Sequence, residues 1–564
     1  MMLYQWAAEV LKAYVPLEVE QLMELLEIPP SASMGDMAFP CFILAKQFKK
    51  APQAAAKDIA DAFSHPYVQA EAAGPYINLK FDRQHYGSLM MNELTTGNVP
   101  ETGNGIKVVI DMSSPNIAKP FGIGHLRSTM IGAALYNMYK LAGYDVLSVN
   151  HLGDWGTQFG KQIAAYKRWG NDQALSENPI QESLQLYVRF HDEAVQDNTL
   201  EQEARDWFRK LEEGDEEARK LWAYFVEVSM KEFDRMYERL GVHFDYTLGE
   251  SFYNDKMQAV VDTLKEQGLL EESDGALVVR LDEEGMPPCL IIKKDGTTIY
   301  PTRDLATAIY RHDVMQADRL LYVVGSEQRL HFGQVFTVLR RMGMAWADSC
   351  THVPFGLMKF EGKKMSTRRG KIVVLEDVLD EAVARAMDII NEKNPELDNK
   401  QQVANAVGIG AIIFGDLKNN RVNEVDFSLE DALNFDGETG PYIQYTYART
   451  QSVLAKGDAL QAENDKAADM LASGDVLGDS GWELLKLLTK FPEQLQRGIR
   501  NNEPSALARY ALDVAQSFNQ FYNKERIVTD ESSTRHARLR LTRLAGLSLT
   551  RTMHLLGLQT PDRM

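Results

Sequence analysis

Asp111-Met-Ser-Ser-Pro-Asn116-Ile-Ala-Lys119-Pro-Phe-Gly122-Ile-Gly124-His125-Leu-Arg-Ser-Thr129 decides how the chain reads. Before it, Ile106-Lys-Val-Val-Ile110 is short, β-branched and almost wholly apolar, the pattern of a buried strand. After it, Leu126, Met130, Ala133, Leu135 and Met138 fall at helical spacing between Gly124 and about Tyr139. The stretch is therefore a strand, a loop and a helix start. A first helical turn offers unpaired N–H groups and partial positive charge. With Lys119 and His125 on either side, it predicts a phosphate-handling site.

A second strand, Val146-Leu-Ser-Val149, leads into Asn150-His-Leu-Gly-Asp154-Trp155-Gly-Thr-Gln158-Phe-Gly160. Strand, helix and strand in that order form the first half of a doubly wound nucleotide fold, whose ligands lie beyond the carboxyl ends of the strands. Both loops leave such ends. Gly122-Ile-Gly124 invites a dinucleotide reading, but Arg127 stands where the third glycine belongs and no acidic residue marks the tip of the next strand. That class is excluded.

A chain of 564 residues, 45% hydrophobic and 25% charged, predicts several globular domains with sizeable cores. Cys41, Cys289 and Cys350 show no CxxC spacing, which argues against zinc and against a disulfide framework, and fits a reducing compartment. Met1-Met-Leu-Tyr-Gln-Trp6 has no basic region leading into an apolar run, and nowhere do about eighteen apolar residues run together. A cytoplasmic protein with no membrane partner is expected. The net charge of −19 bears on solubility and long-range attraction, whereas a nucleic acid needs only a local basic face.

Residues 1–104 predict a small α/β module, with helices over 3–15, 17–26 and 52–63 and a strand over 74–81. Its cluster Lys46, Lys49 and Lys50 reads as a solvated face. The nucleotide fold spans 105–380 and carries a charged helical insertion at about 165–285. Within that insertion Val226, Met230, Phe233, Tyr237 and Leu240 form a core stripe, stopped by Gly241. The fold resumes with the strand Cys289-Leu-Ile-Ile292, a turn at Asp295-Gly296 and a strand end at Thr298-Ile-Tyr300-Pro-Thr-Arg-Asp304. The strand Leu320-Leu-Tyr-Val-Val324 then leads into Gly325-Ser-Glu327-Gln328, and a strand-like run over 352–360 follows. Next comes the basic loop Glu361-Gly-Lys363-Lys364-Met365-Ser366-Thr367-Arg368-Arg369-Gly370. A helical stem over 381–435 and a helical domain over 436–564 complete the chain. In the latter, Arg535, Arg538, Arg540, Arg543 and Arg551 beside Leu541, Leu544 and Leu547 are compatible with RNA or with a plain solvated helix. The fold class is multidomain: a Rossmann-type α/β core with a helical insertion, a small α/β module before it and an all-α region after it.

Alone, the loop over 363–369 is a solvated basic turn. Paired with an upstream phosphate-binding turn, its lysines would stabilise charge moving onto a departing pyrophosphate. Asp111, Asp154 and Asp304 at strand ends make the pocket acidic beside a phosphate site, which points to a cationic second substrate.

At this point the motifs meet a family. Gly122-Ile-Gly-His125 and the distant Lys364-Met-Ser-Thr-Arg368 resemble the two signatures of class I aminoacyl-tRNA synthetases. Ser113-Ser-Pro-Asn-Ile-Ala-Lys119-Pro, His125-Leu-Arg-Ser-Thr129, Leu152-Gly-Asp-Trp-Gly-Thr-Gln158 and Tyr300-Pro-Thr-Arg-Asp304 resemble the arginyl-tRNA synthetases in particular. So do Gly440-Pro-Tyr-Ile-Gln-Tyr445-Thr-Tyr447-Ala-Arg449 and the ending Leu555-Leu-Gly-Leu-Gln-Thr-Pro-Asp-Arg-Met564. The resemblance covers essentially the whole chain.

It implies ligation of L-arginine to tRNA(Arg) through arginyl-adenylate, with ATP and Mg2+ as a substrate complex, no tightly bound cofactor, no resident metal, and a monomer. It implies catalytic roles for Lys119, His125 and Lys364, and ATP contacts from Gly122, Gly124, His125, Met365 and Ser366. Arginine contacts fall to Asp111 (the α-amino group), Asn116, Tyr300, Asp304 (the guanidinium) and Gln328. In the tRNA-elbow module Tyr76 and Asn78 would read a D-loop nucleotide, Tyr76 by stacking, and Tyr445, Tyr447 and Arg449 would serve the anticodon. Two positions depart from the family pattern. Gly122 replaces the first signature histidine, leaving only a backbone N–H for ATP, and Thr367 replaces the second lysine of the loop, whose charge Lys119 would supply. A synthetase for another amino acid and a catalytically silent tRNA-binding relative are the alternatives. The presence of Lys119, His125 and Lys364 together argues against the second.

Overall fold

The computed structural model describes residues 2–197, 199–297, 299–360, 373–461 and 474–564. At its centre lies a parallel five-stranded sheet in the order Cys350–Phe355, Arg319–Gly325, Lys107–Asp111, Asp145–Asn150, Tyr246–Thr247. From Lys107–Asp111 the chain passes through helix Ile123–Leu141 to Asp145–Asn150 on one side, and it returns much later to Arg319–Gly325 on the other. The switch point therefore falls between the carboxyl ends of Lys107–Asp111 and Arg319–Gly325, where open α/β sheets bind ligands. Val108, Val109, Ile110, Leu320, Leu321 and Val323 are buried, as near-continuous apolar strands in a covered parallel sheet must be.

Three expectations for the core need correction. Cys289–Ile292 is a strand, but it pairs with Ala276–Val279 in a separate antiparallel sheet with Glu271–Ser273. An apolar run of four looks the same in either sheet. The expected strand end at Tyr300–Asp304 is the opening of helix Tyr300–Asp313, with Pro301 in its first turn, where a missing N–H costs nothing. The run over 352–360 divides between Cys350–Phe355 in the main sheet and Met358–Phe360, which pairs with Val425–Phe427.

Long helices fill the stretch read as insertion: Thr157–Trp169, Pro179–Ala194, Thr199–Glu213 and Glu216–Leu240. Before that stretch ends, Tyr246–Thr247 has already joined the main sheet beside Val149 and Asn150. The stripe is core: Phe233, Tyr237 and Leu240 are buried, and Gly241 ends the helix in the left-handed conformation.

The amino-terminal module sets Tyr76–Phe81 between Met37–Pro40 and Val68–Ala73 in an antiparallel sheet. It is bolted to the carboxy-terminal helices. The Asp36 carboxylate accepts from Phe81 N, Trp482 Nε1 and Lys486 Nζ at 3.0, 2.7 and 2.9 Å. In the basic run of helix Ser532–Leu555, Arg535, Arg538, Arg540 and Arg551 each donate to groups of the protein itself. Arg535 and Arg538 donate to the carbonyls of Thr529 and Val476. Arg540 donates to Asn92 Oδ1 and Thr95 Oγ1, and Arg551 to Gly97 O, so these two fasten the amino-terminal module.

Candidate active site

The loop after Lys107–Asp111 is held in a conformation that side chains resist. Ser113, Ser114 and Ala118 have φ of 71°, 52° and 58°. Such residues cost of order 1–3 kcal/mol each and persist only where the surroundings over-determine them. Here they do. Ser113 N donates to Ser128 Oγ at 2.9 Å and Ser113 Oγ bonds Tyr237 OH at 2.8 Å. Ser114 N donates to Asn150 Oδ1 at 3.2 Å, and Ala118 N to Ser229 Oγ at 3.0 Å. Asn116 is bridged to Gly153 of the second loop, with Gly153 N donating to Pro115 O and Ile117 N to Gly153 O. A Cβ on Gly153 would sit 2.5 Å from Asn116 Oδ1, which explains the glycine.

Helix Ile123–Leu141 begins where the sequence places it, with Gly122 as N-cap. His125, at the third helical position, accepts the Gly122 N–H on Nδ1 at 3.1 Å. Burial and nearby Lys119 push the imidazole down to about 4, so it is neutral at physiological pH. An accepting Nδ1 leaves the proton on Nε2, which makes that atom a donor. One expectation is thereby corrected: the backbone N–H of Gly122, expected to remain for ATP, is spent on His125. Gly122 has φ −85°, so its backbone does not require glycine. Gly124 is exposed, and a Cβ there would meet nothing within 4 Å. Lys119 Nζ lies 5.5 Å from the Tyr187 ring centroid. Lys364, Met365 and Ser366 lie outside the described residues, between Phe360 and Val373. The downstream root of that segment is tied to the helix start, since Ile123 N donates to Val373 O and Leu375 N to Phe121 O.

The acids are distributed differently from the sequence reading. Asp111 is 5% exposed, its Oδ2 paired with Arg311 Nη1 at 2.7 Å and its Oδ1 accepting from Ser114 Oγ at 2.9 Å. Asp154 accepts from Ser251 N and Ser251 Oγ at 2.8 and 2.6 Å. Both are committed inside the protein, so neither presents an open carboxylate as expected. Glu250 and Asp304 do. Glu250 was missed because it lies in the stretch read as insertion, and only Gly249 before it signals a turn. Its Oε2 meets Arg303 Nη1 at 2.9 Å. Burial, reinforced by Asp304 and Asp154 and opposed by Arg303, pushes its carboxyl up to about 7. Asp304 is bonded to His331 Nε2, a second residue the sequence reading passed over. Tyr300 is half-exposed, with the charges of Glu250, Arg303 and Asp304 acting on its hydroxyl, and its OH lies 3.9 Å from where a Gly156 Cβ would be. Gln328 is exposed at the end of the short turn after Arg319–Gly325, on the same edge of the sheet.

Two further expectations change away from the sheet. Tyr447 is 8% exposed and donates to Asp562 Oδ1 at 2.8 Å, so its ring is part of the core and not a reader of bases. Asn78 is likewise buried, in the central strand of the amino-terminal sheet. Tyr445 is exposed, and Arg449 lies between the rings of Tyr445 and Tyr522 at 4.9 and 5.2 Å. Tyr76 is half-buried and packs edge-on against the exposed ring of Phe42 at 5.7 Å.

Comparison with known proteins meets this geometry along the whole chain. Residues 5–81 match the arginyl tRNA synthetase N terminal domain, 88–429 the class I tRNA synthetases (R) catalytic domain, and 443–564 the DALR anticodon binding domain. The chain is 50% identical over 550 residues to arginine–tRNA ligase 1 of Bacillus thuringiensis subsp. konkukian, covering 97% of this chain and 96% of that protein. It is 46% identical over 563 residues to arginine–tRNA ligase of Clostridium perfringens, covering 99% of each. Among solved structures, the Thermus thermophilus arginyl-tRNA synthetase aligns with a TM-score of 0.80 at 25% identity, over 100% of this chain and 99% of that one.

Proposed function

The chain belongs to the arginyl-tRNA synthetase family and charges tRNA(Arg) with arginine, and from that premise we propose how its residues divide the work. The observation that carries the proposal is the meeting of two opposite chemistries at one edge of the parallel sheet. One is a helix start after Lys107–Asp111 bearing a neutral, Nε2-protonated His125; the other is a pair of carboxylates, Glu250 and Asp304, that flank Tyr300.

In this reading Glu250 and Asp304 hold the substrate guanidinium, whose planar fork pairs well with carboxylate, and Tyr300 covers it. Asn116 and Gln328 hold the α-carboxylate end. Asp111, its own oxygens committed, acts on the α-amino group through Ser114 Oγ. His125 Nε2 donates to the triphosphate of the ATP–Mg2+ complex, the open face at Gly124 receives the nucleoside, and Lys119 and Lys364 follow the charge. The arginine carboxylate is already ionised at neutral pH, so it attacks the α-phosphorus without a strong general base. Pyrophosphate departs and arginyl-adenylate forms. The site has to supply alignment and charge stabilisation. The 2′-hydroxyl of the terminal adenosine of tRNA(Arg) then attacks the arginyl carbonyl and AMP leaves.

We further propose that residues 1–104 bind the tRNA elbow, with Tyr76 and Phe42 as the stacking surface. Residues 105–380 form the catalytic domain, 381–435 a stem, and 436–564 the anticodon-binding domain with Tyr445 and Arg449 at its surface. No helix among the described residues is long and apolar enough to cross a membrane, and we place the enzyme in the cytoplasm as a monomer. Pyrophosphate exchange with each amino acid, with and without tRNA, tests the assignment. Exchange confined to arginine, with a strongly raised KM for arginine in Asp304→Asn, is expected. Unchanged arginine exchange in that variant would sink the pocket.

A further inference from the structure

Asp304 is a point of convergence. It lies on helix Tyr300–Asp313, and its charge acts on Glu250, on Cys289 of the antiparallel sheet, on Tyr322 of strand Arg319–Gly325 and on His151 after Asp145–Asn150. One of its oxygens, Oδ2, is bonded to His331 Nε2 from helix Arg329–Arg341. A carboxylate can only accept, so His331 presents a protonated Nε2 to it. Among the described residues Oδ1 carries no hydrogen bond. The same division recurs beside it: Arg303 Nη1 takes Glu250 Oε2, and Oε1 is left without a bond among the described residues. Each carboxylate of the pocket thus has one oxygen held from inside the protein and one presented outward.

Arg303 can do this from the helix that carries Asp304, but His331 comes from a different element, 27 residues on. Its side chain is 21% exposed and packs edge-on against Phe332. Its contact with Asp304 is the feature of its surroundings that a substrate would feel. A carboxyl group free to turn about its last bond offers its lone pairs in many planes. One tied at Oδ2 offers Oδ1 in a single plane. A guanidinium is planar and needs that alignment, whereas an ammonium is a point charge that does not.

We propose that His331 is a positioning residue that fixes the plane of the Asp304 carboxylate and so makes the pocket prefer a guanidinium to an ammonium side chain; this rests on Asp304 as the guanidinium acceptor.

The test is pyrophosphate exchange in the full-length enzyme with tRNA present, using His331→Ala, His331→Gln, Asp304→Asn and the Ala/Asn double variant. His331→Ala is expected to raise KM for arginine about tenfold, the scale of one hydrogen bond to a charged group. The value of kcat should stay within about twofold and KM for ATP unchanged. Lysine, added as a competitor, should inhibit the Ala variant more strongly relative to arginine than it inhibits the parent. His331→Gln, whose amide N–H can reach the same oxygen, should recover most of the lost affinity. In the Asp304→Asn background, His331→Ala should add nothing. Loss of kcat with KM unchanged, failure of Gln to rescue, or an equal effect of His331→Ala with and without Asp304 would overturn the inference. If Asp304→Asn itself leaves KM for arginine unchanged, the guanidinium assignment fails instead.

Discussion

Glu250 makes the affinity for arginine depend on pH in a way that can be worked out beforehand. Its carboxyl is pushed up to about 7 because burial outweighs the Arg303 guanidinium 2.9 Å away, while Asp304 and Asp154 add to the upward push. A guanidinium binds the ionised form. At pH 6 about a tenth of the sites are ionised and at pH 8 about nine-tenths, so KM for arginine should fall about tenfold between them. The sign follows from the raised value: affinity is present above 7 and lost as pH falls through it. Arginine binding should also expel a proton, close to one per site at pH 6 and about a tenth of one at pH 8. Titration calorimetry in buffers of different ionisation heat counts that proton, and pyrophosphate exchange gives KM. Glu250→Gln should bind weakly with no slope over this range. A KM flat to within about twofold from pH 6 to 8, or a Gln variant that keeps the slope, would refute the argument.

Three further outcomes test how the site is held. Asp36→Ala leaves the donors of Phe81, Trp482 and Lys486 facing a void and should cost about 3 kcal/mol at the junction of the amino-terminal module. Since Trp482 is fully buried there, tryptophan fluorescence should show an early transition that the parent lacks. Arg127→Met removes a guanidinium 1% exposed that pairs with Asp416 at 2.8 Å and donates to the carbonyls of Gly356 and Asn423. It should cost about 3–5 kcal/mol in a denaturant melt, and converting Asp416 to Leu as well should restore part of the loss; no recovery would argue against the pair. Gly153→Ala forces Asn116 aside and should lower kcat/KM for arginine about tenfold with little change in melting temperature. A large drop in melting temperature would place the strain elsewhere.

What the sequence made legible was local. Strand, loop and helix around Asp111–Thr129 follow from the apolar run before the loop and the helical spacing after it, and these elements fall where expected, although the Asp111 carboxylate and the Gly122 N–H are committed within the protein. Tyr300 and Asp304 were placed on a strand although Pro301 followed by Leu305 and Ala308 also suits a first helical turn, and the structure takes the helix. The status of the acids was not legible, because it depends on partners far along the chain. Arg311 lies 200 residues from Asp111, and Ser251 lies 97 from Asp154. Nothing local distinguishes an aspartate that will be met by a buried arginine from one that will face a substrate. The same holds for Glu250, half of whose significance comes from Arg303.

The insertion shows how far this reasoning extends. Helix Glu216–Leu240 displays an apolar stripe, and packing is reason enough for it. Yet the Tyr237 hydroxyl on that stripe holds Ser113 and Asn150, and Ser229 Oγ holds the N–H of Ala118. Two of the three left-handed side-chain-bearing residues in the substrate loop are therefore fastened by an element that lies outside the sheet and contributes no residue to the assigned pocket. Those conformations are unfavourable in isolation, so the loop takes its shape only while this helix is docked. It follows that the helix and the loop act as one unit, and that Tyr237→Phe, which keeps the ring and loses two hydrogen bonds, should loosen Ser113 before it disturbs the core.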